Sequence, residues 1–345
     1  MSLPPLPTQP AGVAWPTAEW PAGELPRHAR ARVIALANAA FAAPSTPTLG
    51  ETHALAIVQG GRLVYERYNS GFGPAATFPS WSMAKSVTHA LVGIAVGEGK
   101  LDIHAPAEVP EWRGAGDPRG SITLDHLLRM SSGLDWVEEY SRDKPSDVID
   151  MLFGEGQGDV AGFAAAKPLA HPPGSFFSYS SGTTNIVART LGRAIGAAGA
   201  EFEAFMHARL FAPIGMTSPI PKFDAAGTFI GSSFCFATAR DIARFGLLYL
   251  RGGVWQGHQL LPTGWPDYAR TPTYQQPGAG SDGGYGAHWW LDMAGPGSFS
   301  ANGYDGQFTV CVPDLDLVLV RHGASEAQKT AVKAWVAEVV DGFRA

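Results

Sequence analysis

At 345 residues, 45% of them hydrophobic and 16% charged, the chain has material for one large or two ordinary domains, and this composition excludes a chain disordered throughout. A formal net charge of −6 gives no electrostatic basis for gripping phosphate backbones, so nucleic acid is not an expected partner. The two cysteines, Cys235 and Cys311, cannot build a disulfide framework and form no C-x-x-C pair, so they read as buried free thiols.

Residues 1–26 are rich in Pro, Ala and Trp and lack the basic start and apolar run of a secretory signal. No uninterrupted apolar run of about 18 residues occurs, so no membrane span is expected, and the protein is read as soluble and cytoplasmic. Trp15 and Trp20 in this segment could wrap the protein's own surface or a neighbour's, and oligomeric state stays open. Residues 26–42 place apolar groups on one side of a helix, with Pro44 expected to end it. HALAIVQ and RLVYERY, joined by Gly60-Gly61, predict a hairpin, because glycine reaches the positive φ that two-residue turns demand.

From Ser82 to Leu250 the pattern is mainly helical, broken by Gly and Pro loops. Thr238-Ala239-Arg240-Asp241 has the form of a helix N-terminus, the Thr oxygen accepting a first-turn N–H. Strand patterns return in FTVCV and LVLVRH around Pro313-Asp314-Leu315-Asp316, followed by a helix over about 326–343. The economical architecture is a sheet built from both chain ends and flanked by terminal helices, with a helical domain inserted between them and a site at their junction.

Three elements carry candidate chemistry. An S-x-x-K spacing on a helix sets a hydroxyl and an amine one turn apart. It occurs at Ser82/Lys85 and at Ser141/Lys144. Lys144 precedes Pro145 and its segment has no apolar face, so that copy reads as a solvated loop. Ser82-Met83-Ala84-Lys85 opens a run in which Met83, Val87, Ala90, Leu91 and Ile94 keep the spacing of a buried helix, which places the amine in apolar surroundings. Burial disfavours the ammonium, and a neutral amine could take the Ser82 proton. The second element is the Pro-Gly loop ending in Tyr179-Ser180-Ser181, where a phenol could relay protons and Ser181 could bond the substrate. The third is Asn302-Gly303-Tyr304-Asp305-Gly306-Gln307, whose glycines permit close backbone approach to a ligand.

With LDHLLRMSSGLDW, PGSFFSYSSG, FAPIGM, FATARDIARFGLLYLRGG, YGAHWW, GYDGQF and VPDLDLVLV added in order, the chain resembles the serine β-lactamase and penicillin-recognising superfamily, in its class C-like branch of esterases and 6-aminohexanoate-dimer hydrolases. The resemblance implies an α/β (α+β) fold: a sheet domain from residues 1–81 and 232–345 and a mainly helical domain from 82–231, with the site in the cleft between them. It implies Ser82 as nucleophile, Lys85 as its base partner and Tyr179 as the group that activates Ser82 or protonates the leaving group. Ser181, where many relatives carry Asn, together with Tyr304, Asp305 and Gly306 would bind substrate. The backbone N–H groups of Ser82 and Gln307 would form the oxyanion hole, and Trp136 and Tyr140 resemble the pocket wall.

The substrate implied is a small ester or amide, with no cofactor and no metal. The third motif lacks the usual Lys, so β-lactam turnover is expected to be weak or absent, and its Asp305 suggests tolerance of neutral or amine-bearing substrates. No G-x-S-x-G elbow or H-E-x-x-H is present, and His89 reads as a core residue rather than a base. The competing readings are a catalytically silent binder of peptides or cell-wall fragments and a D-amino-acid peptidase.

Overall fold

The computed structural model describes residues 3–42, 48–141, 143–273 and 283–344. Helix α1 (Arg27–Ala40) starts directly after Pro26, and Pro44 lies outside the described residues. Strands β1 (Glu51–Gln59) and β2 (Arg62–Tyr68) form the expected hairpin, Gln59 opposite Arg62, with Gly60 at φ 57° and Gly61 at φ 71°. The chain then runs through β3 (Thr77–Phe78), α2 (Ala84–Gly97), α3 (Leu124–Leu128), α4 (Asp147–Phe153), α5 (Val160–Ala165), α6 (Ser181–Ile195) and α7 (Ala200–Met206). Next come β4 (Ile220–Pro221), β5 (Cys235–Thr238), α8 (Ala239–Leu250), β6 (Val254–Trp255), β7 (His258–Gln259) and α9 (Trp265–Arg270). The last part holds β8 (Gly284–Tyr285), β9 (Trp290–Leu291), β10 (Phe299–Gly303), β11 (Gln307–Val312), β12 (Leu317–Ala324) and α10 (Lys329–Asp341). As the sequence suggested, Thr238 caps α8, its Oγ1 accepting the Asp241 N–H at 3.2 Å.

Seven strands make an antiparallel sheet in the order β2-β1-β12-β11-β10-β9-β8, so β1 and β12 join the two ends of the chain. Central strands are covered on both faces, which is why LAIV and LVLV read as continuous apolar runs rather than as alternation. Leu55, Ile57, Val310 and Leu319 pack under α1 and α10 through Val33, Ala37, Trp335 and Val339. Ala54, Ala56, Val318 and Val320 belong to a second cluster that continues through α8 and α2 into the helical part. Gly246 lets α8 lie directly on the sheet, since a Cβ there would stand 2.7 Å from Val318. Both cysteines sit in this cluster as free thiols, their pKa values raised by burial.

The small sheet β3-β5-β4 and the edge pair β8–β9 were not expected: segments of two to four residues carry no period to read. The N-terminal segment wraps the protein's own surface. Trp15 packs on Trp255 at 4.9 Å between centroids, and Trp20 Nε1 donates to the Arg240 carbonyl at 3.3 Å. Arg244 and Arg270 hold the carbonyls of Pro16 and Pro4, each at 2.6 Å. Among the described residues no helix is long and apolar enough to cross a membrane.

Candidate active site

Ser82 lies in a 3-10 turn, Trp81–Met83, that feeds straight into α2. Trp81 adopts φ 44°, a left-handed conformation that costs an aromatic residue on the order of 1–3 kcal/mol and persists only where the surroundings enforce it. Two contacts do so. Ser80 Oγ accepts the Cys235 N–H at 2.9 Å and donates to the Ser233 carbonyl at 3.2 Å. From the other side β10 presses its last residue on the turn: a Cβ on Gly303 would stand 2.4 Å from the Ser80 carbonyl oxygen. Gly303 therefore serves an approach of the protein to itself, and it also lines a cavity that opens onto Ser82, where the sequence reading expected a ligand.

Helix α2 is buried on every side from Ala84 to Ala95, Lys85 among them at 1% exposure. Its Nζ donates to Ser82 Oγ at 3.1 Å, to Ser181 Oγ at 2.9 Å and to the Ser232 carbonyl at 3.0 Å. Burial brings the amine down to about 8, against the opposing pull of the Glu138 carboxylate. Ser180 caps α6, its Oγ accepting the Thr183 N–H, and this sets Ser181 as the first helical residue with its hydroxyl facing Lys85. Ser181 Oγ in turn donates to Glu138 Oε1 at 2.5 Å, and Ser181 N–H to Oε2 at 2.8 Å. Trp136 Nε1 and the Tyr140 hydroxyl donate to the same carboxylate at 2.5 and 2.9 Å.

Lys85 Nζ stands 4.9 Å from the centre of the Tyr179 ring, which leans on Trp290 and Tyr285. Two cavities open onto Ser82. One, of about 210 Å³, is lined by Glu138, Tyr179, Trp290, Asn302, Lys329 and Lys333. The other, of about 220 Å³, is lined by Trp81, Val148, Ile149, Leu152, Phe153 and Ser181. Tyr140 and Tyr304 line both, their rings 5.3 Å apart.

A family model described as Beta-lactamase matches residues 50–337. The chain belongs to the Beta-lactamase family. It is 27% identical over 287 residues to the 6-aminohexanoate-dimer hydrolase of Paenarthrobacter ureafaciens, covering 78% of this chain and 72% of that protein. A Bacillus anthracis structure, proposed to be a 6-aminohexanoate-dimer hydrolase, matches with a TM-score of 0.74 at 22% identity, over 98% of this chain and 89% of the other. A penicillin-binding protein homologue from Pyrococcus abyssi matches with a TM-score of 0.62 at 19% identity, over 81% and 72%.

Within this Beta-lactamase-family fold the structure gathers Ser82, Lys85, Ser181, Tyr179, Tyr140 and Tyr304, and sets other sequence-derived candidates apart. Gln307, whose backbone N–H was expected in the oxyanion hole, opens β11 in register with Gly303 and lines neither cavity, and its side chain bonds the main chain of Gly323. Asp305, at φ 64°, accepts the N–H groups of Ser325 and Glu326 at 2.5 and 2.9 Å and likewise lines neither cavity. Gly306 meets the buried Arg321, whose Nη1 donates to its carbonyl at 2.7 Å. Trp136 stands behind the site against Gly182 and steadies Glu138. His89 is a core residue, its Nδ1 bonded to the Tyr249 hydroxyl at 2.7 Å and its pKa pushed well down by burial. Lys144 is exposed and bonded to Glu139, as the loop reading of the second S-x-x-K expected; Arg142 between its ends lies outside the described residues.

Glu138, the Ser232 carbonyl, Trp81, Trp290 and the two lysines of α10 were missed. For Glu138 a signal existed. In an extended segment alternate side chains share a face, and Trp136, Glu138 and Tyr140 keep that spacing. Trp81 adjoins Ser82 but its left-handed φ leaves no mark in the sequence, and the remaining groups reach the site from distant parts of the chain. Among the described residues no group of His, Cys, Asp and Glu is arranged to hold a metal ion.

Proposed function

We propose that the protein is a serine hydrolase that forms an acyl-enzyme at Ser82 on small ester or amide substrates, in the cleft between residues 1–81/232–345 and 82–231. The observation that carries this is the polarity of the hydrogen bonds around Lys85. The Ser232 carbonyl can only accept, so it takes one N–H. Ser181 gives its own hydrogen to Glu138, so it takes a second N–H through its lone pair. A neutral amine has only two hydrogens, and its lone pair is then left facing Ser82 Oγ, 3.1 Å away. That geometry makes Lys85 a general base for the Ser82 hydroxyl.

Ser82 Oγ attacks the substrate carbonyl as its proton passes to Lys85, Tyr179 delivers a proton to the departing alcohol or amine, and the proton held by Lys85 restores the phenol. Water then attacks the acyl group, one of its protons returns to Ser82 Oγ as the ester bond to the enzyme breaks, and the acyl group leaves as the free acid. The oxyanion is met by the N–H of Ser82 and by that of Tyr304, the first residue beyond the Gly303–Gln307 pair and a lining residue of both cavities; this assignment replaces Gln307. The similarity to a 6-aminohexanoate-dimer hydrolase supports amides as well as esters.

With the amine near 8, its neutral fraction rises with pH and is roughly a tenth at pH 7, against well under a thousandth for an unperturbed Lys. Short-chain nitrophenyl ester hydrolysis should therefore climb through pH 7–9, with penicillin turnover weak or absent. A fluorophosphonate probe read by intact-mass spectrometry should give one adduct on the native chain and none on Ser82→Ala. An unlabelled native chain, or an adduct that survives the substitution, refutes the assignment.

A further inference from the structure

Lys85 can serve as a base only while its lone pair, rather than a hydrogen, faces Ser82, and that polarity rests on the Ser232 carbonyl. Residues 231–233 form a tight turn in which the N–H groups of Ser233 and Phe234 both return to the Ile230 carbonyl at 3.0 Å. All three carbonyls of the turn are taken by side chains from the segment that carries Ser82. Thr88 Oγ1 donates to Gly231 at 3.1 Å, Lys85 Nζ to Ser232 at 3.0 Å and Ser80 Oγ to Ser233 at 3.2 Å. The Ser232 N–H finds its partner on a different helix, α6, where it donates to Asn185 Oδ1 at 3.1 Å.

The Gly231–Ser232 peptide is therefore clamped at both ends, its carbonyl by Thr88 and its N–H by Asn185. A peptide unit is planar, so clamping it sets where the next carbonyl, that of Ser232, can lie. Gly231 permits the approach: a Cβ there would stand 2.3 Å from Thr88 Oγ1. The two helices repeat one arrangement. Lys85 and Thr88 lie one turn apart on α2, as do Ser181 and Asn185 on α6, and in each pair one residue belongs to the hydrogen-bond set of the amine and the other to the clamp. Asn185 is fully buried. Only its amide oxygen can accept the Ser232 N–H, which turns Nδ2 toward the Met151 sulfur at 3.4 Å, a weak acceptor. The strong bond of this buried amide is the one it makes to the turn.

We propose that Asn185 is a positioning residue for Lys85: by holding the Ser232 N–H it fixes the carbonyl that takes one amine hydrogen, and so keeps the lone pair on Ser82. Asn185 lines neither cavity at Ser82 and acts through the turn. The inference rests on the acyl-enzyme reading above.

The test is Asn185→Leu, which keeps the size of the side chain, admits no water and removes the acceptor. Two quantities are read: kcat and KM across pH on a short-chain nitrophenyl ester, and the titration of Lys85 itself by NMR of protein carrying isotope-labelled lysine, its signal assigned by its loss in Lys85→Met. A carbonyl favours the ammonium over the amine, so a displaced carbonyl should lower the Lys85 titration and the acid limb of kcat by about one pH unit, a tenfold change in the protonation equilibrium. Above the limb kcat should fall about 10- to 100-fold, with KM within about twofold of native. Glu138, Tyr179 and His288, the titratable groups set around Lys85, keep their identity in this variant, so the shift reports the carbonyl. Met151→Leu preserves both the volume and the Ser232 bond and should leave kcat and titration native. If Asn185→Leu does not fold, Thr88→Val opens the other end of the clamp and should move both quantities in the same direction.

An unmoved Lys85 titration, a native kcat, or an equal loss in Met151→Leu overturns the positioning role and leaves the serine hydrolase standing. A moved titration in a protein whose native form neither hydrolyses esters nor takes the fluorophosphonate upholds the positioning and refutes the hydrolase. Neither turnover nor a moved titration overturns both.

Discussion

Glu138→Gln offers a direct view of how Lys85, the proposed base, is tuned. The substitution keeps the shape of the side chain and removes one charge. Glu138 reaches Lys85 through Ser181, by contacts of 2.5 and 2.9 Å. Unit charges about 5 Å apart interact by about 3 kcal/mol at an effective dielectric of about 20, equivalent to about two pK units. Burial draws Lys85 down and Glu138 holds it up, the balance lying near 8. Removing the carboxylate should carry the amine toward 6. The assay is the pH dependence of kcat/KM on a neutral nitrophenyl ester. Its acid limb should move down by about two pH units while the plateau falls, because a weaker base removes the Ser82 proton less readily. A limb that stays in place, or moves up, in a variant of native melting temperature would refute the coupling between Glu138 and Lys85.

Two further substitutions probe the frame around Ser82, the proposed nucleophile. Gly303→Ala sets a methyl 2.4 Å from the Ser80 carbonyl, and since Ser80 is itself tied to Cys235 and Ser233 the turn must shift; kcat should fall about 10- to 100-fold, with a stability loss of about 1–3 kcal/mol by thermal unfolding. Activity within twofold of native would show that the turn is not registered by β10. Asp305→Ala removes the acceptor for two N–H groups at the start of the C-terminal helix and leaves a β-carbon at φ 64°, so unfolding should come about 1–2 kcal/mol sooner, whereas Asp305→Asn should retain most of that stability.

What was legible in the sequence was local. Gly60-Gly61 states its own turn, Thr238 its own cap, and Ser82 and Lys85 meet because three residues along a tight helical start bring them to one side. The sheet was legible because strands buried on both faces announce themselves as apolar runs at both chain ends. Misreadings arose where a side chain's partner lies far along the chain. Asp305 looked like a charge facing the substrate because Ser325, the residue it caps, stands 20 positions away. Gln307 looked like an oxyanion donor because its register opposite Gly303 depends on how β10 and β11 pair, and nothing local encodes that. The Ser232 carbonyl that fixes the polarity of Lys85 is a backbone group, and composition says nothing about which backbone groups face a site.

The site separates its costs from its selectivity. A buried amine and a left-handed tryptophan are both unfavourable, and both are enforced by firmly held parts of the molecule: α2, enclosed on every side, and the turn pinned between Cys235, Ser233 and β10. The walls of the two cavities come from elements that flank this frame, namely the extended segment bearing Glu138 and Tyr140, α4, and one face of α10. Tyr140 and Lys329 can change without emptying the core, because Tyr140 is half-buried and Lys329 exposed, whereas Lys85 cannot. On that physical ground substrate preference is the adjustable property of this architecture and the Ser82–Lys85 geometry the constrained one. The carboxylate of Glu138 is the link between them. It bonds Tyr140 in the cavity wall and, through Ser181, stands against the base, so whatever displaces Tyr140 on binding also alters the field at Lys85.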